Sequence, residues 1–100
     1  MLAEHRQYLL PGGKGYHLDV KVIPTGFLEV EIMEEHDKFL AEFEELSFLS
    51  NGKKTELVCR DHVGGECVRW QVDLANDDAR ELAKLIELAE DEFELLMRDL

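Results

Sequence analysis

EEHDKFLAEFEELSFLS, residues 34–50, is the stretch whose reading decides the fold. Phe39, Leu40 and Phe43, with Leu46 beyond them, recur at the spacing of one helix face. Glu34, Glu35 and Asp37 put negative charge where a helix N-terminus favours it. The far end of the stretch reads differently. Leu46 and Phe48 alternate with Glu45 and Ser47, and the Asn51-Gly52 pair just beyond is a strong hairpin signal. With Asn51-Gly52 as a two-residue loop, Ser50 lies opposite Lys53, Phe48 opposite Thr55 and Leu46 opposite Leu57, so apolar partners share a face. The stretch therefore predicts a short helix over residues 35–44 followed by a strand over residues 45–50.

Working towards the N-terminus, Leu28, Val30 and Ile32 alternate with Glu29 and Glu31, and Tyr16, Leu18, Val20 and Val22 alternate with His17, Asp19 and Lys21. Both are the pattern of a half-buried strand. Pro24, Thr25 and Gly26 between them supply a turn, since proline presets φ and glycine accepts a positive one. Residues 1–15 are poorly specified: Leu2, Leu9 and Leu10 show no clear period before Pro11, Gly12, Gly13 and Gly15 interrupt regular structure. Lys14 in that glycine-rich segment lacks the spacing of a phosphate-binding loop.

Working towards the C-terminus, a Gly64-Gly65 loop pairs Asp61 with Val68, Cys59 with Trp70 and Leu57 with Val72. One face then carries Leu57, Cys59, Val68, Trp70, Val72 and Leu74. From Asn76 onward, Ala79, Leu82, Ile86, Ala89, Phe93, Leu96 and Leu100 fall on alternating steps of four and three, with Ala83, Leu85 and Met97 widening the stripe. Asn76, Asp77 and Asp78 are N-cap residue types, and Asp78 with Glu81 has the form of a capping box. A helix over residues 77–100 would be roughly 36 Å long, more than the ~20 to 25 Å of the strands beneath it. Its last two turns are expected to overhang.

The expected architecture is one two-layer α+β domain over residues 16–100, an antiparallel five-stranded sheet in the order ββ-α-βββ-α with the long C-terminal helix over its apolar face. This succession of elements is similar to that of the profilin-like group, which includes longin and roadblock-type modules, and more loosely to that of PAS-type sensors. The similarity is one of element order, and it implies a binding or dimerising module.

Composition narrows the functional classes. A chain of 100 residues with 45% hydrophobic content suits a single core. It has neither an apolar run of membrane-spanning length nor a secretory leader pattern, and its two cysteines show no disulfide spacing, so a soluble cytoplasmic protein is expected. The net charge of −12 opposes direct binding to nucleic-acid phosphates. That charge is concentrated: residues 29–45 hold eight acids and one base, and residues 76–100 hold nine acids and three bases, leaving the rest nearly neutral.

Two surfaces emerge as candidates. Leu88, Phe93, Leu96, Met97 and Leu100, on or beside the overhanging part of the helix, are expected to dock a protein partner or a second copy, because contiguous exposed apolar surface usually marks an interface. With its acidity, such a module suits a basic partner whose nucleic-acid site it occupies by charge mimicry. The alternative is an anion site on the polar sheet face, where Arg60 and Arg69 are expected directly opposite each other beside His62 and Cys67. Like charges so placed need something negative between them, either an anion or the carboxylates of Asp19, Glu29 and Glu31. No catalytic set, metal site or cofactor is implied: Cys67 and His62 lack further ligands, and Glu34, Glu35, His36 and Asp37 would point apart on a helix.

Overall fold

The structure is a computed structural model and describes residues 3–60 and 67–98. Among these residues the strands are β1 (Glu4–Leu9), β2 (His17–Ile23), β3 (Phe27–Ile32), β4 (Asp37–Glu42), β5 (Leu46–Asn51), β6 (Lys54–Arg60) and β7 (Val68–Ala75), followed by the helix α1 (Asn76–Arg98). All neighbouring strands are antiparallel, and they form two sheets, one in the order β1-β2-β3-β4 and one in the order β5-β6-β7. The α+β class and the C-terminal helix are as expected. The single five-stranded sheet is not: there are two sheets, of four and three strands.

The difference originates in residues 34–50. Instead of a helix over residues 35–44, β4 pairs along the whole of β3, from Ile32 opposite Asp37 to Phe27 opposite Glu42. Phe39 and Ala41 face inward at a spacing of two, and Leu40, which completed the helical pattern, points outward and is 51% exposed. Of the residues read as a helix start, Asp37 opens β4, and Glu34 and Glu35 lie in the β3–β4 loop. His36 there has φ 57, and Glu34 accepts from the His17 backbone N–H and lies 2.9 Å from its Nδ1. Burying the edge of β3 under six residues of pairing outweighs a short helix, which is marginal by itself. All that remains of the helix is one 3-10 turn at Phe43–Glu45, closed by a 2.9 Å bond from the Glu42 N–H to Glu45 Oε1. That turn redirects the chain, so β5 begins a new sheet. The element order of the profilin-like group, which needs a helix at this point, is not formed.

β1 was not legible either. Its inward side offers only Tyr8 as an apolar residue, yet it pairs along β2 from Glu4 opposite Val22 to Leu9 opposite His17. Tyr8 Oη donates to Glu81 Oε1 at 2.9 Å, and Arg6 Nε lies 3.6 Å from the same oxygen, so the N-terminal segment is tied to α1. Glu81 is thus engaged by β1.

The β2–β3 hairpin follows the sequence pattern, with Ile23 opposite Phe27 and a turn bond from the Gly26 N–H to the Ile23 carbonyl at 3.0 Å. Gly26 has φ +115, a conformation costly for any residue with a Cβ. The β5–β6 register differs from expectation by two residues: Asn51 lies opposite Lys54, Phe48 opposite Leu57 and Leu46 opposite Cys59. The two-residue loop is Gly52-Lys53 instead of Asn51-Gly52, with Gly52 at φ +67. A shift of two preserves which side chains share a face, so the inward set is unchanged.

The core is continuous across both sheets. Leu18, Val20, Val22, Leu28 and Val30 come from the first, Leu57, Cys59, Trp70, Val72 and Leu74 from the second, and Ala79, Leu82, Ile86 and Ala89 from α1. The helix packs against β2 and against all three strands of the second sheet, while β1 comes close to β7. Phe39 and Trp70 stack between the sheets with centroids 5.7 Å apart. No described helix is long and apolar enough to cross a membrane.

Candidate functional site

The first half of α1 is consumed by the core, whereas from Glu90 to Leu95 only Phe93 is even half-buried. Phe93 reaches a cleft of about 290 Å³ where three segments meet: the β2–β3 turn with Pro24, Thr25, Gly26 and Phe27, the end of β4 with the 3-10 turn, and the second half of the helix. Phe27, Phe43 and Phe93 line it, and so do Glu42, Glu44, Glu90 and Glu94. Glu42 and Glu44 belong to one acidic segment of the sequence and Glu90 and Glu94 to the other, so folding brings the two together. Glu90 and Glu94 are four apart on one helix face, a like-charge pair that costs a few tenths of a kcal/mol. Both are exposed, and neither makes an ion pair among the described residues. An aromatic-lined recess flanked by carboxylates suits an organic cation such as a lysine or arginine side chain, through charge pairing and cation–π contact. No group of three or more metal-ligating side chains occurs among the described residues.

Of the residues expected at the docking surface, Leu88 is 51% exposed and Phe93 lies in the cleft. Leu96 and Met97 are in the last turns of α1 with side chains outside the described part, and Leu100 lies outside the described residues. Phe27, Phe43 and the four glutamates escape a reading of one element at a time. The division of charge into two acidic segments was the available signal, but it does not say that they meet.

The arginine pair does not form as expected. A bulge at the end of β6 and the start of β7 sets Arg60 opposite Val68, which displaces Arg69 from it. Arg69 Nη1 instead binds Glu45 Oε2 at 3.0 Å, and Arg60 is exposed with no ion pair among the described residues. The carboxylates expected to bridge the arginines are elsewhere: Lys38 Nζ binds Glu29 at 2.7 Å and His5 pairs with Asp19, on the outer face of the first sheet. The Lys38 hydrogen bond holds the Glu29 carboxyl below its usual range and Glu29 raises Lys38 in turn. His62 lies outside the described residues. Cys59 is buried and Cys67 exposed, and no disulfide joins them.

Among the described residues one buried side-chain polar atom has no partner: Nε1 of Trp70, whose ring stacks on Phe39. Leaving such a donor unsatisfied costs about 1–3 kcal/mol. Comparison with protein-family models, curated proteins and solved structures finds no match.

Proposed function

We propose that this chain is a non-enzymatic docking module that engages a basic protein partner through the acidic, aromatic-lined cleft beside the second half of α1. Its carboxylates stand where the partner would otherwise meet nucleic-acid phosphates. The observation that carries this reading is the convergence of Glu42, Glu44, Glu90 and Glu94 around Phe27, Phe43 and Phe93, from the two segments that account for the whole of the net charge of −12. A cationic partner would relieve the like-charge contact of Glu90 with Glu94, and the rings add a surface that favours arginine over a bare point charge.

The test is titration with an arginine-rich peptide beside a lysine-rich peptide of equal charge. Arginine is expected to bind more tightly, with binding weakening steeply as salt rises towards about 1 M, where charges are screened beyond ~3 Å. Glu90→Gln with Glu94→Gln should weaken it about tenfold or more, equivalent to about 1.4 kcal/mol. Equal affinity for the double variant, or binding unaffected by salt, would remove the cleft from consideration.

A further inference from the structure

β5, Leu46–Asn51, has the sequence LSFLSN. It is the only described strand without an ionisable side chain, in a protein where 34% of residues are charged. It is also an edge, hydrogen-bonded to β6 on one side only. An open edge offers a row of unpaired backbone N–H and C=O groups, and proteins usually guard it with charge, proline or a covering element. The other edges are guarded. β4 carries Asp37, Lys38 and Glu42, and β1 and β7 lie close to each other. β5 has neither charge nor proline, and although α1 packs against it, its outer end stays open: Leu49 is 42% exposed, and Ser50 and Asn51 are exposed as well.

The surface beside this edge is equally unlike the rest of the molecule. Between β5 and the start of α1 lies a groove of about 240 Å³ lined by Phe48, Ser50, Thr55, Asn76, Ala79, Arg80 and Ala83. It contains no acid and one base. Asn76, whose oxygen accepts from Thr55 Oγ1 at 2.7 Å and whose amide donates to the Gly52 carbonyl, fixes the helix start against the hairpin. The groove and the edge strand therefore form one surface without a carboxylate.

We propose that β5 pairs antiparallel with β5 of a second copy of this chain across a two-fold axis, making one continuous six-stranded sheet from two three-stranded ones. Self-association decides the occupant because an isologous contact sets each residue of the patch against the same patch. With −12 on each copy, two molecules repel through any acidic face, and β5 with its groove is where they can meet without opposing carboxylates. The symmetry restricts the register. Residues opposite each other must face the same side of the sheet, so the axis passes through Phe48 or Leu49, and in either case only Leu, Phe, Ser and Asn side chains are opposed. With either axis five residues of β5 pair with their counterparts, which lies at the small end of specific interfaces, so the dimer should be concentration-dependent. This surface is separate from the acidic cleft.

Sedimentation of the full chain from about 10 μM to about 1 mM tests the proposal, the range in which an association of this size is expected to appear. A monomer–dimer equilibrium should be seen, weakened about tenfold or more both by Leu49→Lys and by Leu49→Glu, since with either axis a charge of either sign stands at or beside the two-fold, opposite its own copy or opposite uncharged Ser47 and diagonal to it. Leu40→Lys, an equally exposed site on the guarded β4 edge, should leave it unchanged. Thermal unfolding of the dilute proteins confirms that the Leu49 variants are folded. Amide exchange adds a readout without mutation: amides within residues 46–51 should gain protection as concentration rises, while those of β4 should not. A wild-type monomer across the range would overturn the proposal. So would a dimer dissociated by Phe93→Asp and not by Leu49→Lys, which would place the contact on the helix, or concentration-dependent protection confined to β4.

Discussion

The two halves of α1 are made of similar residues and do different things. In the first, Ala79, Leu82, Ile86 and Ala89 are all buried, and Glu81 takes the Tyr8 hydroxyl and lies near Arg6. In the second, up to Leu95, Glu90, Asp91, Glu92 and Glu94 are exposed, Leu95 is 59% exposed and Phe93 is half-buried against the β2–β3 turn. One continuous amphipathic pattern thus spans a part that holds the two sheets together and a part that lines a recess. Apolar periodicity reports that a face exists. What covers that face is a separate matter.

The largest effect that sharpens this contrast is expected from Leu82→Ala. Leu82 is fully buried between the sheets, and truncation should cost about 2–5 kcal/mol in urea unfolding. A cost below about 1 kcal/mol would mean that the first half of the helix is not the joint described here.

Tyr8→Phe comes next, at about 0.5–1.5 kcal/mol, because it removes the bond to an exposed partner that water can re-solvate. Its pH signature is more diagnostic. Burial, then the hydrogen bond to Glu81, pushes the Tyr8 hydroxyl well above its ordinary value. The folded state therefore keeps a proton that the unfolded chain releases above about pH 10, and stability falls as pH rises past that point. Lys38 and Lys54, each raised by its carboxylate partner, act in the same direction. The Phe variant should retain the lysine part of the alkaline decline and lose the tyrosine part, a slope of about 1.4 kcal/mol per pH unit. On the acid side, Glu29 and Glu34 are lowered by hydrogen bonds from Lys38 and from the His17 backbone. Their contribution is present above the ordinary carboxylate range and lost as pH falls through the lowered values. Asp78, raised by burial, works against that loss, because protonation relieves it in the folded state.

Replacing His36 by glycine should stabilise by up to about 1 kcal/mol in the same unfolding assay, since φ 57 disfavours a residue with a Cβ. An unchanged or lowered midpoint would show that the β3–β4 loop does not hold this conformation. The smallest effect is expected from Leu95→Ala, within about 0.5 kcal/mol, as for other exposed positions. If Leu95→Ala costs as much as Leu82→Ala, the division of the helix fails.

Much of this arrangement was legible. Strict alternation located β2 and β3, and glycine and proline marked their turn. The pairs Leu57 with Val72 and Cys59 with Trp70 followed from the hydrophobic pattern, as did the helix after Asn76. The arginine pair was expected and does not form, because the bulge beside Arg60 adds one residue, a local geometry with no marker in Cys59, Arg60, Val68 or Arg69 themselves. β1 was missed because one apolar residue, Tyr8, cannot establish a period, and its stability comes from the open edge of β2 and from Glu81. As for the cleft, its acids were visible as two segments in the chain and their meeting was not.

By itself the sequence determined the α+β composition, the amphipathic C-terminal helix, the faces of most strands and the uneven charge, because each of these is written in spacings of two, three or four residues. Tertiary structure alone decided that residues 37–42 are a strand, that a 3-10 turn divides the strands into two sheets, and that Glu42 and Glu44 line one cleft with Glu90 and Glu94. The reason is energetic. Phe39, Leu40 and Ala41 satisfy helical and extended spacing about equally, and the choice falls to the long-range pairing of β3, which no local pattern contains.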